Sequence, residues 1–114
     1  MSPKWRIPGM NKPKQFVSVA EAGTIPKGEA KAFEVEGKKI AVARIEDAYY
    51  AFDDDCTHMQ CSLAKGFFRG TTVVCPCHVS EFDMTSGEVL KGPAKKSVES
   101  YQVRVEGGSI QIEV

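Results

Sequence analysis

The sequence predicts an all-β protein made of short antiparallel strands. Apolar and polar residues alternate in several short runs, and turn-forming residues separate these runs. The clearest case is at the C-terminus, where residues 101–105 alternate, Gly107-Gly108 turns the chain, and residues 110–114 alternate again. No window of ten or more residues repeats its apolar positions every 3.6 residues, so we expect no long amphipathic helix.

Shorter runs upstream predict the other strands. Turns are expected at residues 36–38 and at Glu46-Asp47, because each separates two runs of alternating or β-branched residues. Residues 17–22 are also compatible with one helical turn. The predicted upstream strands are residues 15–20, 30–35, 39–45, 48–52 and 71–74.

Length and charge limit the classes of protein that the chain can belong to. Its 114 residues predict a single domain, residues 1–114. The formal net charge is zero, which gives no general reason to bind nucleic acid or an anionic membrane. The sequence contains no run of about 18 apolar residues, so it predicts no membrane-spanning helix. The N-terminus also lacks the apolar segment of a secretory signal. We therefore expect a cytoplasmic protein.

All four cysteines and both histidines lie in two short segments. Each segment offers thiolate and imidazole groups, which are metal ligands, and sixteen residues separate His58 from Cys75. That distance is enough for a strand out and back, so we expect two metal-binding loops between Phe52 and about Gly92. The segments are Cys56-Thr57-His58-Met59-Gln60-Cys61 and Cys75-Pro76-Cys77-His78.

Three kinds of metal centre compete for this set of ligands. A structural zinc takes two cysteines and two histidines, but in the usual zinc motifs the two cysteines are neighbours along the chain and so are the two histidines. A mononuclear copper or iron site needs a differently shaped ligand set. A cluster of two irons and two sulfides, with two cysteines on one iron and two histidines on the other, fits the mixed order seen here.

Residues 53–95 resemble the cluster-binding segment of Rieske iron–sulfur proteins. The resemblance implies one 2Fe-2S cluster, with Cys56 and Cys75 on one iron and His58 and His78 on the other. It also implies a Rieske-type antiparallel fold, in which a small β-sandwich or barrel base carries residues 53–95 as an inserted cluster-binding subdomain.

Further positions extend the resemblance to the cytochrome bc type of Rieske protein. There the loops read Cys-Thr-His-Leu-Gly-Cys and Cys-Pro-Cys-His-Gly-Ser, and the two extra cysteines form a disulfide. The resemblance implies the same disulfide between Cys61 and Cys77, as in soluble Rieske proteins of thermophilic archaea, whereas dioxygenase ferredoxins usually lack the pair. Gly92-Pro93-Ala94 matches the proline-containing loop that covers the cluster in the family.

Two positions of the second loop are expected to tune the reduction potential. Ser80 matches the family's serine, which donates a hydrogen bond to a bridging sulfide, although Val79 replaces the preceding glycine. Phe82 stands where the bc type has a tyrosine whose hydroxyl bonds a ligand sulfur. Because one of two potential-raising donors is missing, we expect a potential above dioxygenase ferredoxins and below bc-type proteins.

Other residues near the loops are open to two interpretations each. Asp53-Asp54-Asp55 is expected to be a solvated turn, or else to attract a basic partner. Met59, Leu63 and Pro93 are expected to shield the cluster or to form an apolar rim for docking.

The resemblance implies a one-electron carrier and not an enzyme. Such a ferredoxin shuttles electrons as a monomer between a reductase and an oxygenase or respiratory acceptor. The sequence shows no phosphate-binding glycine loop, nucleophile–base pair or ligand set for an oxygenase iron. Two alternatives stay open: a small Rieske subunit of a larger oxidoreductase, and a structural zinc protein without a redox role.

Overall fold

The computed structural model describes residues 15–56, 61–77, 79–94 and 96–114. These residues form three antiparallel sheets and one 3-10 turn at Leu63–Lys65, which confirms the all-β prediction. No helix among them is long and apolar enough to cross a membrane. The strands are β1 (Phe16–Glu21), β2 (Glu29–Val35), β3 (Lys38–Ile45), β4 (Ala48–Asp53), β5 (Phe67–Arg69), β6 (Thr72–Val74), β7 (Glu81–Asp83), β8 (Val89–Lys91), β9 (Ser100–Tyr101), β10 (Val103–Glu106) and β11 (Ser109–Glu113).

The first sheet has the strand order β1-β11-β10. The predicted C-terminal hairpin is confirmed, since β10 and β11 pair across Gly107-Gly108. The helical turn considered at residues 17–22 is wrong, because β1 pairs with β11 along nearly its whole length, with a bulge after Ser18. Val17 lies opposite Ile112, which is fully buried, and this long-range pairing outweighs any local helical preference.

The second sheet has the order β2-β3-β4-β9, and its two predicted tight turns are confirmed. Strand β3 is buried on both faces at its centre. Ile40 and Val42 belong to a core shared with the first sheet, whereas Ala41 and Ala43 belong to a core shared with the third sheet. The alternation of side chains along β3 therefore places one strand between two hydrophobic cores.

The third sheet has the order β5-β6-β7-β8 and lies within residues 53–95. Phe68, Val73 and Phe82 lie side by side on its inner face and pack in the same core. On the other face Arg69 and Glu81 form an ion pair at 2.9 Å. This sheet is the support from which the second predicted ligand loop leaves.

Candidate metal centre

Each of the two predicted cysteine ligands follows a strand, and both are fully buried. Cys56 follows β4, and Cys75 follows β6 directly. The Cys56 N–H donates to Cys61 O at 2.9 Å, and the Cys75 N–H donates to Ser80 O at 2.7 Å. Each backbone hydrogen bond closes one ligand loop on itself, so the loops are held at their bases.

The disulfide between Cys61 and Cys77 is present, as predicted. It joins the two ligand loops across a Cα–Cα distance of 6.4 Å. Cys56 and Cys75 are not part of this disulfide, and both are buried in the core that also contains Leu63 and Phe82. The disulfide and the core thus bring two thiol-bearing loops together.

The described donors fit an iron–sulfur cluster. Two thiols reach one apolar core from separate loops, and soft thiolate ligands are those that hold such clusters. His58 and His78 lie outside the described residues. Within the part of the chain that the structure describes, no group of three or more histidine, cysteine or carboxylate side chains is placed to hold a metal ion.

Ser80 connects the second ligand loop to the predicted covering loop. Its side chain is fully buried, and its Oγ accepts a hydrogen bond from the Ala94 N–H at 2.9 Å. The peptide bond between Gly92 and Pro93 in that loop is cis. Because Oγ accepts this bond, the hydroxyl proton of Ser80 is left to donate elsewhere.

Val79, the residue before Ser80, and Phe82, two residues after it, lie in very different environments. Val79 has a φ of +54° and a side chain that is 57% exposed, and its N–H donates to Cys75 O at 3.1 Å. Phe82 is fully buried opposite Val73 in the third sheet. The aromatic ring of Phe82 therefore packs in the core without a hydroxyl group to donate.

The acidic run is not the solvated turn that we expected. Asp54 is fully buried, and its backbone N–H donates to Lys39 O. The Asp53 carboxylate accepts hydrogen bonds from the Tyr101 hydroxyl at 2.6 Å and from the Glu99 N–H at 3.1 Å. Burial raises the pKa of the Tyr101 phenol, and the hydrogen bond to Asp53 raises it further.

Within this run only Asp55 behaves as a surface charge. It lies 3.9 Å from Lys39, and its side chain is 45% exposed. Three successive carboxylates give no pattern from which burial of the middle one can be read, so the burial of Asp54 was not predictable from the sequence.

The predicted apolar rim also requires correction. Leu63 is fully buried in the core, because the 3-10 turn directs its side chain inward. Pro93 is exposed, whereas Met59 lies outside the described residues.

Comparisons with known proteins agree with these features. The family model described as "Rieske [2Fe-2S] domain" matches residues 15–102. The ferredoxin component of a naphthalene 1,2-dioxygenase system from Pseudomonas aeruginosa is 34% identical over 89% of this chain and 97% of its own length. Sulredoxin from Sulfurisphaera tokodaii is 32% identical over 82% of this chain and 93% of its own.

A solved structure shows the same fold. The ferredoxin of carbazole 1,9a-dioxygenase from Nocardioides aromaticivorans superimposes with a TM-score of 0.81 at 32% identity. The match covers 85% of this chain and 95% of that ferredoxin.

Proposed function

We propose that this chain, which belongs to the Rieske family, is a one-electron carrier that takes an electron from a reductase and delivers it to an oxygenase. One observation carries the proposal: two buried thiols lie on loops that a disulfide joins, within a domain of this family. The similarity to the ferredoxin component of a naphthalene dioxygenase system supports an oxygenase as the acceptor.

We propose that Cys56 and Cys75 hold one iron of a single 2Fe-2S cluster, and that His58 and His78 hold the other. Such a cluster, when bound, accepts and returns one electron. With two thiolates rather than four it is neutral when oxidised, which places its potential in a window of roughly −150 to +300 mV. The fully buried Leu63 and Phe82 exclude water from the cysteine side of the site.

Ser80 and the covering loop have a proposed role in the same site. The hydrogen bond that Ser80 Oγ accepts from the Ala94 N–H fixes the oxygen and leaves its proton to donate toward the cluster. A donor of this kind stabilises the more negative, reduced state and raises the potential. The loop Gly92-Pro93-Ala94 then shields this side of the site.

The proposal extends to the organisation of the molecule. Residues 53–95 act as the cluster-binding subdomain of a single domain, which works as a cytoplasmic monomer and meets its partners in turn. The carrier catalyses no reaction of its own. A permanent subunit of a larger oxidoreductase would instead elute with that complex when native extract is fractionated by size.

The experiment combines metal analysis with electron transfer. We expect anaerobically purified protein to be brown, to contain about two irons per chain, and to pass one electron from a ferredoxin reductase to the oxygenase of an aromatic-ring dioxygenase. Colourless protein that contains zinc would contradict the proposal.

A pair of matched variants tests the ligands. Cys75→Ser removes a proposed ligand, and we expect it to lose the iron. The double variant Cys61→Ser with Cys77→Ser makes the same change on the same loops but touches only the disulfide, and we expect it to retain most of the iron. Equal iron content in the two variants would contradict the assignment of Cys75.

A further inference from the structure

Three exposed apolar side chains, those of Phe67, Val79 and Leu90, lie at the end of the third sheet that borders the second ligand loop. We call them the apolar patch. Among the described residues the exposed large hydrophobic side chains are these three and Val105, which is in β10 of the first sheet. A single exposed hydrophobic residue is ordinary, whereas a concentration of them marks an interaction surface.

The strand pairing places the patch beside the ligand loop. Phe67 lies opposite Val74, which in turn lies opposite Glu81. Glu81 lies opposite Lys91, so one row of residues crosses all four strands of the third sheet, over about 14 Å. Cys75 follows Val74 directly, so this row borders the second ligand loop along its whole width.

Two residues of the patch are exposed through irregular backbone. The register of β8 shifts at Leu90, which has no residue opposite it in β7, and bulges of this kind re-aim a side chain. Val79 has a φ of +54°, a conformation that glycine adopts freely and that costs a β-branched residue stability. An exposed apolar side chain that is kept at such a cost points to a role outside the fold.

The edge of the apolar patch is positively charged. Lys65 lies two residues before Phe67, Lys91 ends β8, and both are exposed. Neither forms an ion pair with a residue that the structure describes. The Glu81 carboxylate in the same row is paired with Arg69 at 2.9 Å. The two lysines therefore leave an unbalanced positive charge, which attracts an acidic surface.

We propose that the apolar patch and its two lysines form the docking surface for the electron acceptor, and that the acceptor meets it with an apolar surface surrounded by carboxylates. This inference rests on the proposed function, in which the acceptor is an oxygenase. A row about 14 Å wide suits a protein rather than a small molecule. Transient redox complexes have small interfaces, in which a few anchoring side chains carry most of the affinity.

The first test removes apolar side chains from the patch. The double variant Phe67→Thr with Leu90→Thr keeps residues that suit strands. We expect its Kd for the purified oxygenase of an aromatic-ring dioxygenase, measured by titration calorimetry, to be about tenfold higher than that of the wild type. Val105→Thr is the control for an exposed apolar residue elsewhere, and we expect it to change the Kd less than about twofold. An unchanged Kd in the double variant, or an equal change in the control, would overturn the proposal.

Val79→Gly separates docking from stability, and it covers the case in which the double variant does not fold. Glycine relieves the left-handed strain, so we expect this variant to resist chemical denaturation at least as well as the wild type. We nevertheless expect its Kd for the oxygenase to rise about threefold, because the apolar side chain is gone. Binding as tight as that of the wild type, or tighter, would overturn the proposal.

Lys91→Gln tests the charge of the partner surface. We expect it to associate with the oxygenase about threefold more slowly at low ionic strength, and the difference to disappear at about 0.5 M salt. Lys27→Gln is the control, since Lys27 is also exposed but is paired with Asp47 between other strands. Faster association of Lys91→Gln, or equal effects of the two variants, would overturn the proposal.

Binding and electron transfer, measured separately, distinguish this inference from the proposed function. A wild type that binds the oxygenase through the patch but passes no electron contradicts the proposed function and supports the docking surface. Patch variants that deliver electrons to the oxygenase at the wild-type rate contradict the docking surface and leave the carrier supported. The same holds if they are slowed only in taking electrons from the reductase, which would make the reductase the occupant. A wild type that neither binds nor reduces the oxygenase contradicts both.

Discussion

Val79 combines a β-branched side chain with a left-handed backbone, at a φ of +54°. This conformation costs an L-residue about 1–2 kcal/mol, and a side chain that is 57% exposed recovers little of that by packing. The neighbours impose the conformation, because the Val79 N–H bonds Cys75 O and the Ser80 carbonyl bonds the Cys75 N–H. The second ligand loop therefore dictates a backbone that suits glycine.

Substitutions at Val79 should show whether the second ligand loop imposes a backbone conformation that suits glycine. We expect Val79→Gly to be more stable than Val79→Ala by about 1 kcal/mol in the free energy of unfolding, because only glycine adopts positive φ without cost. Val105, 47% exposed in strand β10, is the matched control. There Val105→Gly should be less stable than Val105→Ala, by about 0.5–1 kcal/mol. The same order of the glycine and alanine variants at both positions would refute the explanation.

The contact that a single residue makes was predictable only where a sequence motif also identified the residue that it contacts. The pairing of Cys61 with Cys77 could be predicted, because both stand at positions of a known motif, and the structure confirms it. Burial of Asp54 rather than Asp55 could not, because it depends on which carboxylate meets Ser62 and Ala64 in the folded loop. The roles proposed for His58 and His78 stay predictions.

At the scale of elements, the turn between β7 and β8 is held by one glycine. Gly87 has a φ of +82°, its N–H donates to Asp83 O, and its carbonyl accepts from the Val98 N–H. An ideal Cβ on Gly87 would lie 1.8 Å from Val98 O. The turn therefore packs against the chain that leads to β9 so closely that only glycine fits.

We expect Gly87→Ala to lower the free energy of unfolding by about 3 kcal/mol. The added Cβ forces the backbone near Val98 to shift, and alanine is strained at a positive φ. Gly70→Ala is the control, since Gly70 also has a positive φ, +58°, but nothing lies within 4 Å of its Cβ position. Gly70→Ala should lower the free energy of unfolding by about 1 kcal/mol. Chemical denaturation measures both, and equal losses would show that the contact with Val98 contributes nothing.

Strand β9 is tied to β4 by Tyr101, and this contact should depend on pH. Burial and the hydrogen bond to Asp53 raise the pKa of Tyr101 above its unfolded value of about 10. The stabilisation is therefore fully present below about pH 10 and is lost as the pH rises further. We expect the stability difference between the wild type and Tyr101→Phe, measured by urea unfolding, to shrink over the range from about pH 10 to about pH 12. A difference that stays constant over this range would contradict the role of the hydroxyl.

Strands were predictable where their length or their β-branched residues gave a pattern, and even the three-residue β6 was predicted, at residues 71–74. Alternating or β-branched runs predicted β2, β3, β4 and the hairpin of β10 and β11, which the structure confirms. Strands β5, β7 and β8 have three residues each, too few to show a period, and they are fixed by pairing with their neighbours. Phe67-Phe68 illustrates this, because Phe68 packs in the core whereas Phe67 is 64% exposed.

At the scale of the whole molecule, strand β3 separates the two hydrophobic cores. One core joins the first and second sheets, and the other contains Cys56 and Cys75 together with inner residues of the third sheet. The proposed cluster site is thus attached to a base that has a further core of its own between the first and second sheets.

The most direct test is a potentiometric titration of the purified protein, followed by electron paramagnetic resonance of the reduced state. We predict a one-electron transition with a midpoint inside the window of roughly −150 to +300 mV, away from both ends, and a spectrum of a histidine-ligated 2Fe-2S cluster. A midpoint near −400 mV with the spectrum of an all-cysteine cluster, or no signal in a protein that contains zinc, would contradict the proposed histidine-ligated cluster.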